Sequence, residues 1–127
     1  MYFMSNILCS IIIPFYNVPT ELVDKCLTSI FSQDWGDNSY EVIFVNDGSK
    51  DDCGRIVEEM NLPCVRVVGY EQNMGKGYAV RCAMLAAQGD VIMFTDADLA
   101  YGTDVIKKYY ERYAEKLPDV MIGSRNL

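Results

Sequence analysis

The chain has 127 residues, 11 of them Lys or Arg, 18 Asp or Glu and none His, for a formal charge of -7. The missing imidazole excludes a histidine general base, a His-ligated zinc and a Ser-His-Asp triad, and the acidic balance argues against a partner such as nucleic acid, whose backbone is bound by Lys and Arg. Half of the residues are hydrophobic and nine are glycine, which excludes a disordered chain and suits one domain with a sizeable core.

Ile7–Phe15 is the longest strongly apolar run. It is far shorter than the ~20 residues a membrane helix needs. No basic residue precedes it, as one would in a signal peptide. It therefore predicts a buried parallel strand. Thr20 is the candidate N-cap of a helix whose Leu22, Val23, Cys26, Leu27, Ile30 and Phe31 recur on one face. Tyr40–Asn46 is a second strand. Ser49 and Asp52 resemble a capping arrangement for a helix near Asp51–Met60, with Ile56, Val57 and Met60 inward. Cys64–Gly69 is a third strand, opened by Pro63. Lys76–Gln88 is an alanine-rich helix with Gly89 as its C′ residue. Val91–Thr95 is a fourth strand. Asp104–Lys116 is a helix stopped by Pro118, with Val105, Ile106, Tyr109, Tyr110 and Tyr113 inward and Lys107, Lys108, Arg112 and Lys116 on its solvated face. Val120–Ile122 is a short fifth strand. The five cysteines, Cys9, Cys26, Cys53, Cys64 and Cys82, are odd in number and include no C-x-x-C pair, so they read as small apolar residues of a reducing compartment.

Strands alternating with helices at this spacing predict an α/β fold, a mostly parallel sheet of about five strands with helices on both faces. In such a sheet ligands bind outside the carboxyl ends of the strands. The segments there are Pro14-Phe15-Tyr16-Asn17, Asn46-Asp47-Gly48-Ser49, Asn73-Met74-Gly75-Lys76-Gly77, Asp96-Ala97-Asp98 and Gly123-Ser124-Arg125. Asn46-Asp47-Gly48-Ser49 is equally the composition of an ordinary turn. The glycines around Lys76 do not form a Walker A loop, and no G-x-G-x-x-G follows the first strand. Two carboxylates one residue apart, Asp96 and Asp98, repel each other unless a cation lies between them. Hard oxygen ligands of this kind suit Mg²⁺ or Mn²⁺, with a substrate phosphate completing the shell. A divalent ion would also let an acidic protein hold an anionic diphosphate.

In this order and at these spacings the segments from Ser10 onward resemble the nucleotide-binding half of glycosyltransferase family 2. The resemblance implies the Rossmann-like GT-A fold and a single N-terminal nucleotide-sugar-binding domain over 1–127, without the acceptor half. It implies a nucleoside-diphosphate sugar, UDP- or GDP-linked, as donor, with inversion at the anomeric centre. Pro14, Phe15, Tyr16 and Asn17 would line the nucleoside pocket. Asp47, beside Gly48, would hydrogen-bond the base. Asn73, Gly75, Lys76, Gly77 and Arg81 would close on the base and ribose. Asp96 would lie near the ribose and metal, and Asp98, across Ala97, would be the principal metal ligand. The segments Asn73–Arg81, Asp96–Leu99 and Ile122–Arg125 resemble the polyprenyl- or dolichyl-phosphate sugar synthases. There the acceptor is a lipid phosphate, already largely ionised near neutrality with a second pKa of about 6, so a base is hardly needed. Ser124 and Arg125 would then meet a phosphate.

The first half also resembles transferases that build polysaccharides, which use a glycan hydroxyl acceptor and a carboxylate base further downstream. A truncated, non-catalytic nucleotide-binding module is the other alternative. Val18 and Pro19 stand where many relatives carry acids, and Ala100 where some mannosyl synthases carry a metal-binding glutamine. The chain is expected to be cytoplasmic, with the full-length protein a peripheral partner of the membrane's cytoplasmic face.

Overall fold

The computed structural model describes residues 9–32, 39–50, 52–62, 64–96 and 105–121. The elements run β1 (Cys9–Phe15), α1 (Thr20–Phe31), β2 (Tyr40–Asp47), α2 (Cys53–Glu59), β3 (Val65–Tyr70), α3 (Lys76–Ala86), β4 (Val91–Phe94) and α4 (Val105–Lys116). The strands form one sheet in the order β3-β2-β1-β4. Every neighbouring pair is parallel. The expected fifth strand lies partly outside the described residues, and its Val120 and Met121 are not in a strand.

β1 and β2 are the central strands and read as continuous apolar runs because both of their faces are covered. Cys9, Ile11, Ile13, Phe15, Val42 and Phe44 point to one side, against α1, α2 and Tyr110 of α4. Ile12, Ile43 and Val45 point to the other, against Ala79 and Ala83 of α3. Ile11, Ile12 and Ile13 are all fully buried, each burial being worth about 2 kcal/mol over exposure. Ala79 and Ala83 let α3 approach the sheet closely. On β4 the same face is open, with Ile92 and Phe94 38% and 59% exposed.

Pro14 sits inside β1 without breaking the ladder. The Thr95 N–H donates to the Ile12 carbonyl, so Ile12 turns its backbone toward β4. Pro14, two residues on, faces the same side, beyond the last paired residue of β4. Its missing N–H therefore removes no ladder bond.

Several local expectations change. Thr20 is the first residue of α1, and Pro19 holds the cap position with no side-chain cap. The Pro19 carbonyl instead accepts from the N–H groups of Leu22 and Val23. Asp52 stands at the cap of α2 without a side-chain cap bond, its carboxylate pairing instead with Arg55 at 3.2 Å, and Ser49 bonds Asn46 and Asn17. Tyr110 packs into the core while Tyr109 is 39% exposed. Gly89 is not a left-handed helix cap, since α3 ends at Ala87 in extended conformation. A Cβ on Gly89 would lie 2.7 Å from both the Ser10 nitrogen and its Oγ, so the glycine serves close approach rather than a positive φ.

That approach completes a buried network at the amino edge of the sheet. The Gly89 N–H donates to Ser10 Oγ (2.8 Å), and Ser10 Oγ donates to Glu41 Oε1 (2.7 Å). The Gln88 N–H donates to the same oxygen (2.8 Å), and Arg66 Nε donates to Glu41 Oε2 (3.2 Å). Arg66 also donates to the Ala86 carbonyl. Burial would raise the Glu41 carboxyl, but the donors from Gln88, Ser10 and Arg66 outweigh it and hold it below the usual range.

Candidate functional site

The opposite, carboxyl edge gathers the other polar cluster. β2 ends on Asp47, which the register sets beside Tyr70, the last residue of β3. Asp47 is 5% exposed. Its Oδ1 accepts from the Tyr70 hydroxyl (2.7 Å) and the Met74 N–H (2.9 Å). Its Oδ2 accepts from Asn73 Nδ2 (3.2 Å), which also donates to the Asp47 carbonyl (3.1 Å). The carboxylate thus ties the loop after β3 to the end of β2. Tyr70 is fixed in turn by an edge-on contact with Tyr78, ring centroids 5.0 Å apart. Burial, and then the Asp47 carboxylate, push the Tyr70 phenol well above its ordinary range.

Gly48 is the joint between these two loops. Its φ is +78°, and a Cβ would lie 2.3 Å from the Asn73 nitrogen. Neither the conformation nor the space admits a side chain. The loop after β1 is anchored on the same turn. The Ser49 N–H donates to Asn46 Oδ1 (2.7 Å), and Ser49 Oγ donates to Asn17 Oδ1 (3.1 Å). The Asn17 N–H donates back to Ser49 Oγ (3.3 Å). Asn17 takes a left-handed φ of 53°, which asparagine tolerates well.

α3 starts at this edge. Gly75 precedes it with φ +90° and no side-chain cap. A Cβ on Gly75 or Gly77 would meet nothing within 4 Å. At Gly77, inside the first helical turn, glycine costs ~1 kcal/mol against alanine, and no packing requires it. Arg81 follows four residues later on the same face and is exposed. Lys76 reaches across to the end of β4 and forms an ion pair with Asp96. Its ammonium also lies 5.9 Å from the Phe94 ring centroid. The end of α3 that carries Lys76 and the end of β4 that carries Asp96 therefore meet.

The structure brings Pro14, Tyr16, Asn17, Asp47, Gly48, Asn73, Gly75, Lys76, Gly77 and Asp96 to one edge of the sheet. Phe15 differs: it is 3% exposed, packed edge-on to Phe44 at 6.0 Å, and its side chain belongs to the core. Ala97, Asp98, Ser124 and Arg125 lie outside the described residues. Among the described residues no group of three or more His, Cys, Asp or Glu gathers to hold a metal. Asp96, with its side chain 40% exposed, offers the kind of hard oxygen donor that Mg²⁺ or Mn²⁺ takes. Tyr70 and Tyr78 were not among the expected site residues. Tyr70 ends an apolar strand and Tyr78 falls in a helix, so each looks like core until the register places it.

The profile of glycosyl transferase family 2 matches residues 10–127. The chain belongs to this family. It is 38% identical over 98 residues to the dolichyl-phosphate beta-glucosyltransferase of Drosophila melanogaster, covering 70% of this chain and 30% of that protein. Among solved structures it resembles the mannosyltransferase PcManGT from Pyrobaculum calidifontis in complex with GDP-Man and Mn²⁺, at TM-score 0.74 and 26% identity, covering 85% of this chain and 32% of that one. It also resembles S. aureus TarS 1-349 in complex with UDP-GlcNAc, at TM-score 0.72 and 28% identity, covering 94% and 36%. The family 2 chain thus spans about a third of each of these three proteins. The parallel sheet and its helices are those of GT-A neighbours. Among its described residues no helix is long and apolar enough to cross a membrane.

Proposed function

We propose that the carboxyl edge of the sheet is the donor site of a metal-dependent, inverting glycosyltransferase that takes a UDP- or GDP-sugar. The carrying observation is the convergence of Asp47, Asn73, Gly77, Lys76 and Asp96 on that edge, with a glycine in the first turn of α3 that no protein contact requires and that leaves the backbone open to a ligand. Asp47 and Asn73 meet the base. The open backbone at Gly75 and Gly77, with Arg81 beside it, lies against the ribose and diphosphate. The uncapped first turn of α3 and the Lys76 ammonium favour phosphate charge. Asp96 and Asp98 would hold Mg²⁺ or Mn²⁺, which supplies charge neutralisation for the departing nucleoside diphosphate.

The proposed acceptor is a lipid phosphate of the polyprenyl or dolichyl kind, with Ser124 and Arg125 meeting its phosphate. The similarity to a dolichyl-phosphate glucosyltransferase supports this reading. Such an acceptor arrives already ionised near neutrality. On this reading residues 1–127 form the nucleotide-sugar-binding domain of a transferase that works at the cytoplasmic face of a membrane. Isothermal titration with UDP and GDP, with and without Mn²⁺, tests it. The expected result is binding that Mn²⁺ strengthens and that Asp98→Ala makes indifferent to Mn²⁺. No binding of either nucleotide by the parent chain would overturn it.

A further inference from the structure

A buried carboxylate can be read by counting the acceptor positions it has left. The two oxygens of Asp47 offer about four between them, two each. Oδ1 receives two protein donors, the Tyr70 hydroxyl at 2.7 Å and the Met74 N–H at 2.9 Å. Oδ2 receives one, from Asn73 at 3.2 Å. Counted over the described residues, one oxygen is therefore full and the other has a single place.

The nucleobases differ in what they bring to such a group. Uracil presents one ring N–H between two carbonyls. Guanine presents two adjacent donors, the ring N–H and the exocyclic amine, which pair with a carboxylate through both of its oxygens. Cytosine presents a ring-nitrogen acceptor at the same position, which a carboxylate repels. A single vacant place on Oδ2 matches uracil. It takes only one of the two guanine donors, leaving the other unpaired, unless Tyr70 or Met74 gives up its bond to Oδ1.

Building on the donor-site reading above, we infer that Asp47, with Oδ1 occupied by Tyr70 and the Met74 backbone, selects a uridine over a guanosine diphosphate donor. Tyr70 is a positioning residue here. It does not meet the base, and acts by removing the second acceptor that guanine needs. The edge-on packing of Tyr70 on Tyr78, 5.0 Å between centroids, holds the hydroxyl where it does this. The Met74 N–H comes from the backbone, so Tyr70 is the member of the pair that a substitution can remove.

The test is titration of the full chain with UDP, GDP and CDP in the presence of Mg²⁺, repeated on Tyr70→Phe. The parent is expected to bind UDP at least about tenfold more tightly than GDP or CDP, the scale of one hydrogen bond to a charged group. Tyr70→Phe keeps the ring contact with Tyr78 and frees one position on Oδ1. It is expected to narrow the UDP-to-GDP ratio by improving GDP, and to leave CDP weak. A loss of order at the site would weaken all three together and leave the ratio alone. GDP bound as tightly as UDP by the parent, or an unchanged ratio in a folded Tyr70→Phe, overturns the selectivity and leaves the donor-site reading standing. No nucleotide bound by the parent overturns both. The comparison on the parent alone decides the selectivity even if the variant does not fold.

Discussion

At Gly89 a hydrogen stands where any side chain would strike the backbone of β1, and the same compactness recurs at Gly48 against Asn73. Gly89→Ala is expected to cost about 2 kcal/mol, the usual scale of overpacking against a well-packed neighbour, read as a lower urea midpoint at unchanged slope. Gly48→Ala adds a left-handed φ to a backbone clash. It should lose more, and should weaken nucleotide binding as the Asn73 loop shifts. The position of Gly89 just after a helix suggests a cap in the sequence. Its real partner, Ser10, is 79 residues away, and no local pattern carries that information. Glu41 is equally hidden, since an acid near the start of a strand looks like a surface residue. Its folded carboxyl lies below the usual value of 4.5. The network therefore stabilises the protein above the unfolded value, and that contribution is lost as pH falls through the lower folded one. Urea midpoints measured from pH 7 down to pH 3 should fall more steeply in the parent than in Glu41→Gln, whose amide does not titrate. Parallel curves would exclude Glu41 as a source of acid sensitivity.

Between elements, the meeting of α3 with β4 is the contact that matters for the site. Lys76 and Asp96 are paired in the open, with side chains 54% and 40% exposed, so the pair contributes at most ~1 kcal/mol to stability. Its value is positional: an ammonium is held at the mouth of a helix that already favours anions. Lys76→Ala is expected to leave the urea midpoint nearly unchanged while weakening nucleoside diphosphate binding several-fold. Unchanged binding in that titration would remove Lys76 from the site. The strands and helices themselves were legible in the sequence. β1 and β2 are sealed on both faces and so appear as unbroken apolar runs, and α1 shows its buried stripe at Val23, Cys26, Leu27 and Ile30. Tyr109 was less legible because a tyrosine carries both an apolar ring and a polar tip. Only packing against the core cluster separates half-buried Tyr110 from exposed Tyr109.

For the whole molecule, the polar groups divide between the two edges of the sheet and do different work. The amino edge closes a satisfied network on Glu41 that staples β1, β2, β3 and the end of α3. Among the described residues the carboxyl edge uses Asp47 and Ser49 to tie its loops while leaving Gly77, Arg81 and one place on Asp47 open. That second edge could be anticipated from the alternation of strands and helices alone, because parallel connections bring the strand ends together. How its residues divide the work could not: only the register shows Phe15 turning into the core and Tyr70 turning onto Asp47. The central claim is that the carboxyl edge binds a nucleoside diphosphate. Backbone amide shifts of the ¹⁵N-labelled chain, followed as UDP and Mg²⁺ are added, test it most directly. The account predicts saturable shifts at Asn17, Asp47–Ser49, Asn73–Gly77 and Asp96, with Ser10, Glu41, Gln88 and Gly89 unmoved. Shifts confined to the Glu41 edge, or none at all, would contradict it.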